Sequence, residues 1–145
     1  MFKLHSVRPT FFAVLTALFT AACAAEAGPT LSAPEAFEKA RAGEITLIDI
    51  RTPQEWRQTG IAESALTIDM TRKTFVQEIL DSVGGDKDAP IAIICRTGNR
   101  TTYTQKALQE MGFSRVYNVK EGMAGSGAGP GWVRRGLPVE RCQTC

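Results

Sequence analysis

Cys95, Arg96, Thr97, Gly98, Asn99 and Arg100 form an unbroken run that holds one soft nucleophile, two guanidinium groups, a hydroxyl, an amide and a glycine. The residues before it, Ile91–Ile94 (I-A-I-I), are the apolar, β-branched run of a parallel strand buried on both faces. After Arg100 the pattern turns helical: Tyr103, Ala107, Leu108 and Met111 recur at helical spacing, and Gly112 is a stop signal. The cysteine therefore lies in a tight loop between a strand and the start of a helix. Helix N-terminal N–H groups lack intrahelical acceptors, and the helix dipole favours negative charge there. A thiolate beside those donors, with Arg96 and Arg100 nearby, is a nucleophile. The same donors stabilise an anionic group attached to its sulfur. Reading Cys95 as a small buried hydrophobe that closes a strand leaves the two arginines and the loop composition unexplained.

The elements that position this loop follow from the pattern of the chain. Ser32 is an N-cap with Pro34 in the first turn and Glu35 at the capping-box position, which starts a helix that Gly43 stops. Ile45–Ile50 reads as a strand, Pro53–Arg57 as a short helical turn and Ala65–Ile68 as another strand. Thr71–Gly84 reads as an amphipathic helix with Phe75, Val76, Ile79, Leu80 and Val83 on one stripe. Val116–Val119 is a last strand, Ala124–Gly131 a flexible glycine-rich stretch, and Trp132, Val133 and Leu137 are expected to dock back onto the core. Short strands alternating with helices predict an α/β domain with a mostly parallel central sheet flanked by helices. A reactive loop at the carboxyl end of a strand is where such sheets bind ligands. Asp49 and Arg51 bracket Ile50 and so face the same side of the strand end. Glu55 is a candidate partner for one of the arginines, and Trp56 is expected in the core.

Three motifs in order carry a family resemblance: C-R-T-G-N-R between I-A-I-I and T-T-Y-T-Q-K-A-L, L-I-D-I-R-T-P-Q-E-W at Leu47–Trp56, and N-V-K-E-G-M at Asn118–Met123 with the later G-W and G-L-P-V segments. Over about Leu31–Glu140 the chain resembles the single-domain rhodanese-type sulfurtransferases. The resemblance implies one rhodanese-like domain over residues 28–140 and a thiosulfate sulfurtransferase activity. Cys95 would attack the outer sulfur of a small anionic sulfur donor and hold it as a persulfide. A thiol or cyanide, or a protein acceptor, would then take the sulfur. Arg96, Thr97, Gly98, Asn99 and Arg100 become the donor-binding loop, and Asp49 and Arg51 supporting residues that brace it. No metal and no organic cofactor is implied. One departure is informative. Gly60–Ala65 lacks the histidine usual in the family, and the only histidine of the chain is His5. A Cys–His dyad is thus not available, and backbone donors and arginine must activate Cys95.

Cysteine phosphatases and arsenate reductases also cradle an anion between Cys and Arg. Their loops place five residues between the two, whereas Cys95 and Arg100 enclose four, which disfavours that chemistry. A non-enzymatic alternative uses Cys142 and Cys145 of the C-terminal C-x-x-C tail (141–145) as a sulfur-relay or thiol-redox pair. A local disulfide is the competing reading of that tail. Residues 1–27 read as a secretory signal, with a basic start, an apolar run over Thr10–Ala22 and a small-x-small site at Ala25–Ala27. Export predicts a periplasmic or secreted protein, or a lipid-anchored one if the lipobox-like T-A-A-C is cleaved before Cys23. Loss of Lys3, Arg8 and Glu26 takes the formal charge from +2 to +1, which gives no reason to expect nucleic-acid binding.

Overall fold

The computed structural model describes residues 28–143 and 145; the expected signal segment and Cys23 lie outside the described residues. The elements are β1 (Thr30–Leu31), α1 (Ala33–Arg41), β2 (Thr46–Asp49), α2 (Pro53–Thr59), β3 (Ile61–Ala62), β4 (Leu66–Thr67), α3 (Phe75–Ser82), β5 (Ile91–Ile94), α4 (Asn99–Glu110), β6 (Val116–Val119), α5 (Gly131–Arg134) and β7 (Val139–Glu140). Five strands form one sheet in the order β1-β6-β5-β2-β4, parallel at every pairing. A separate antiparallel pair joins β3 to β7. The expected α/β architecture is present, with β5 in the middle of the sheet.

Strand alternation divides the core into two layers. Leu47, Ala92, Ile94 and Val119 face Ala33, Ala36, Phe37, Met123 and Trp132. There Phe37 and Trp132 meet edge to face at 5.7 Å. Ile48, Ile91, Ile93 and Val116 face Ile79, Leu108 and Phe113 on the other side. Cys95 continues the Ile91–Ile93 alternation and belongs to this second layer. Ser32 and Glu35 form the expected capping box at α1, and Thr52 and Glu55 form a second one at α2.

Three expectations are corrected. Of the stripe read on the helix after the loop only Leu108 is buried; Ala107 is half-buried, and Tyr103 and Met111 are 79% and 48% exposed. The inner face of α4 is mostly polar, with Thr101, Thr104, Gln105 and Leu108 buried. Gln105 can be buried because its amide donates to the carbonyls of Pro29 and Val116 at 2.8 and 2.7 Å. The helix at Thr71 starts later, at Phe75, because Asp69 accepts from the Thr71 N–H and hydroxyl and holds a turn there. Val133 does not dock onto the core: it is 46% exposed, while Trp132 is buried. Finally, the two-residue strands β1, β3 and β7 are additions to the sequence-level reading.

Candidate active site

The loop after β5 is held from both sides by backbone. The Ile50 N–H donates to the Ile94 carbonyl at 3.0 Å, and the Met123 and Ala124 N–H groups donate to the carbonyls of Cys95 and Arg96, each at 2.9 Å. Two glycines make that approach possible. Gly98 sits at φ +84°, where a Cβ would collide with the Lys120 carbonyl. Gly122 sits at φ +66°, where a Cβ would lie 2.5 Å from the Arg96 carbonyl oxygen. The left-handed turn at Gly98 aims its N–H at the sulfur, and it donates to Cys95 Sγ at 3.2 Å. Thr101 Oγ1 lies 3.6 Å from Sγ and donates to the Gly98 carbonyl at 2.9 Å. Thr101 Oγ1 thus touches both the Gly98 carbonyl and Sγ.

Of the loop residues singled out in the sequence, Cys95 and Gly98 are buried, Thr97 and Arg100 half-buried, and Arg96 and Asn99 exposed. The two arginines have separate roles. Arg100 is engaged by Glu55 in a two-pronged ion pair at 2.8 and 2.5 Å, and Glu55 also accepts from the Thr52 N–H at 3.1 Å. The sulfur loop is thereby tied to α2, and Arg96 remains the loop's cation without an ion pair among the described residues. The Arg100 guanidinium, with the Thr52 donors helping, holds the Glu55 carboxyl down at about 2 despite partial burial. Because this value lies below that of the unfolded chain, the stabilisation is complete above the ordinary carboxylate range and is lost as pH falls toward 2. The full displacement corresponds to about 3 kcal/mol, which partial exposure reduces to roughly 1–2 kcal/mol. In Glu55→Gln, urea unfolding followed from pH 6 to pH 2.5 should show a pH dependence flatter by that amount.

Asp49 and Arg51 form a buried pair, 0% and 1% exposed. Arg51 Nη2 meets Asp49 Oδ2 at 2.6 Å, its Nη1 donates to Thr59 Oγ1 at 2.6 Å, and Nη2 donates to the Gly60 carbonyl at 2.7 Å. Arg51 thus braces the C-terminal end of α2, and its Nη1 also donates at 3.5 Å to the backbone carbonyl of Glu55, the residue whose carboxylate engages Arg100 of the sulfur loop. Five buried polar residues were not singled out in the sequence: Thr101, Thr104, Gln105, Asn118 and Glu121. Thr101 and Gln105 sit in the half of α4 that lacks an apolar signal. Glu121, within the quoted N-V-K-E-G-M motif, accepts from the Ala33 and Gly131 N–H groups and from Arg135 Nε at 2.7, 2.8 and 2.8 Å. It joins α1 to α5 below the loop. Burial pushes its carboxyl up, but Arg135 and the two N–H groups outweigh that and leave it below the usual value.

Beside the loop a cavity of about 270 Å³ is lined by Arg51, Glu55, Gln58, Thr59, Arg96, Met123, Ala124, Val133 and Arg134. Its wall begins at Arg96, one residue beyond the 1%-exposed Cys95. Among the described residues, no group of three or more His, Cys, Asp or Glu is placed to hold a metal ion. Cys142 and Cys145 form a disulfide with Cα atoms 5.7 Å apart. The tail lies against α2 on the side of Trp56 and Arg57.

The family model described as "Rhodanese-like domain" matches residues 32–127. A thiosulfate sulfurtransferase GlpE of Actinobacillus pleuropneumoniae is 33% identical over 110 residues, 76% of this chain and 91% of the relative. A sulfurtransferase of Allochromatium vinosum is 31% identical over 96 residues, 66% of this chain and 78% of the relative. Among solved structures, the polysulfide-sulfur transferase homodimer of Wolinella succinogenes superposes with a TM-score of 0.61 at 28% identity, covering 79% of this chain and 80% of that one. A protein of M. tuberculosis shares the fold with a TM-score of 0.64 at 22% identity, over 81% of this chain and 100% of that one.

Proposed function

The chain belongs to the family of rhodanese-like domains, and from that premise we propose that it is a sulfurtransferase that carries sulfane sulfur as a persulfide on Cys95. The observation that carries this reading is the Gly98 N–H aimed at Cys95 Sγ at 3.2 Å, in a loop that opens α4. A backbone donor of this kind stabilises sulfur-centred negative charge without any basic side chain. The names of the sulfurtransferase relatives support the same chemistry.

In the proposed reaction the Cys95 thiol and thiosulfate yield Cys95–S–SH and sulfite. The sulfur–sulfur bond of the donor breaks, a new one forms to Sγ, and the thiol proton passes to the transferred sulfur. Arg96 at the cavity rim attracts the anionic donor, while Arg100 holds the loop in place through Glu55. Cyanide or a thiolate then attacks the outer sulfur and regenerates Cys95. Export belongs to the same proposal and rests on residues 1–27 of the sequence. The Cys142–Cys145 disulfide fits an oxidising compartment.

The test is the intact mass of the protein after exposure to thiosulfate. Wild type should gain one sulfur, about 32 Da, that cyanide removes, and Cys95→Ala should gain nothing. A wild-type protein that stays unmodified under these conditions would rule out thiosulfate as a donor. An adduct that persists in Cys95→Ala would move the carrier elsewhere, to Cys142 or Cys145.

A further inference from the structure

The cavity beside the loop has an order that a bare inorganic donor does not use. Arg51 is neutralised by Asp49, and Glu55 by Arg100. The wall's remaining charged groups are Arg96 and Arg134, neither of which has an ion-pair partner among the described residues. Three apolar residues lie between them along the wall. The Arg96 carbonyl accepts from the Ala124 N–H at 2.9 Å, the Met123 carbonyl accepts from the Val133 N–H at 3.1 Å, and Arg134 follows Val133. The wall therefore runs from Arg96, the residue that follows Cys95 in the loop, over an apolar stretch, to a second cation on α5. Val133 leaves 46% of its surface open here. At about 270 Å³ the space would take roughly nine water molecules. Thiosulfate, with one anionic head and no apolar part, would satisfy Arg96 and leave the rest of the wall without contacts.

We propose that Arg134 is a specificity-determining residue that binds a second anionic group at the far end of an organic sulfane-sulfur donor. The favoured donor class is then a persulfide or thiosulfonate whose carboxylate is separated from the reacting sulfur by a short apolar segment. This inference rests on the sulfur-transfer reading of Cys95. The chemistry balances without a further reactant. With a persulfide R–S–SH, the Cys95 thiolate takes the outer sulfur and its proton to give Cys95–S–SH, and R–S⁻ leaves. With a thiosulfonate R–SO₂–S⁻, the Cys95 thiol gives Cys95–S–SH and a sulfinate R–SO₂⁻. The reacting end lies at Arg96, the apolar segment covers Met123, Ala124 and Val133, and the carboxylate meets Arg134.

A matched pair of donors isolates the far end: benzenethiosulfonate and 4-carboxybenzenethiosulfonate, with cyanide as acceptor and the full chain as enzyme. Wild type should prefer the carboxylated donor by about tenfold in kcat/KM, chiefly through KM, a single charge-assisted contact at a solvent-exposed site. In Arg134→Ala the preference should fall to about one, in Arg134→Lys part of it should return, and in wild type it should shrink as salt is raised. Arg134 is exposed, so circular dichroism is expected to show the variants folded. A wild-type ratio near one, or a ratio that Arg134→Ala leaves unmoved, overturns the inference while sulfur transfer stands. If neither thiosulfonate nor thiosulfate loads sulfur on Cys95, the sulfur-transfer reading fails first, and the inference with it.

Discussion

Asp49→Ala is expected to lower the unfolding free energy by about 3–5 kcal/mol, because it leaves the Arg51 guanidinium buried without its counter-charge. Arg51 is 1% exposed, so water cannot replace the carboxylate without opening the end of β2. Asp49 accepts from the Arg51 backbone N–H at 3.1 Å as well as from Nε and Nη2, so three donors lose their acceptor at once. For a domain of this size the loss corresponds to a fall in Tm of about 10–25 °C, a large share of the stability such domains possess. Arg51→Met alone orphans the carboxylate and should cost a similar amount. The double variant Asp49→Leu with Arg51→Met removes both charges, and should recover most of the loss, since apolar residues of similar volume often replace a buried pair at little cost. Urea unfolding of the four proteins gives the coupling directly. A single-variant loss under about 1 kcal/mol would mean that the pair is solvated in solution and does not brace α2. The folded double variant would also separate bracing from binding, because it keeps Glu55 and Arg100 but removes the Arg51 guanidinium from the cavity wall.

The parts of this fold that were legible in the sequence are those in which one residue type serves one local need. The capping box at Ser32 and Glu35 and the unbroken Ile91–Ile94 run belong here, and the sulfur loop follows from what adjoins them. The reading failed where a polar side chain is buried for a partner distant in sequence. Gln105 fills the inner face of α4 because its acceptors are the Pro29 and Val116 carbonyls, which are positioned only once the sheet has formed. Apolar periodicity therefore selected Tyr103 and Met111 on the opposite face. The Arg100–Glu55 pair spans 45 positions: the sequence marks Glu55 as a partner for one of the arginines, and only the fold decides that the arginine is Arg100. Glu121 is the same case across 88 positions to Ala33. The strands β1, β3 and β7 are two residues each, shorter than any alternating pattern can show.

Gly98→Ala is the substitution expected to damage the sulfur site most without touching the nucleophile. Two penalties combine. At φ +84° an alanine costs about 1 kcal/mol of backbone strain. Its Cβ would also strike the Lys120 carbonyl, which belongs to backbone and cannot rotate away. The loop must therefore shift, and the stability loss should reach about 2–4 kcal/mol. That shift moves the Gly98 N–H, the donor 3.2 Å from Sγ, and removing one such preorganised donor slows related reactions by on the order of a hundredfold or more. Gly84→Ala is the matched control: its φ is +63°, yet a Cβ there meets nothing within 4 Å. It should lose only about 1 kcal/mol and retain wild-type sulfur transfer. Sulfur loading on Cys95, timed by intact mass, and urea unfolding distinguish the two variants. If Gly98→Ala loads sulfur as fast as Gly84→Ala while showing the larger stability loss, the loop's tight geometry serves packing alone, and the negative charge on sulfur is stabilised by the cations around it.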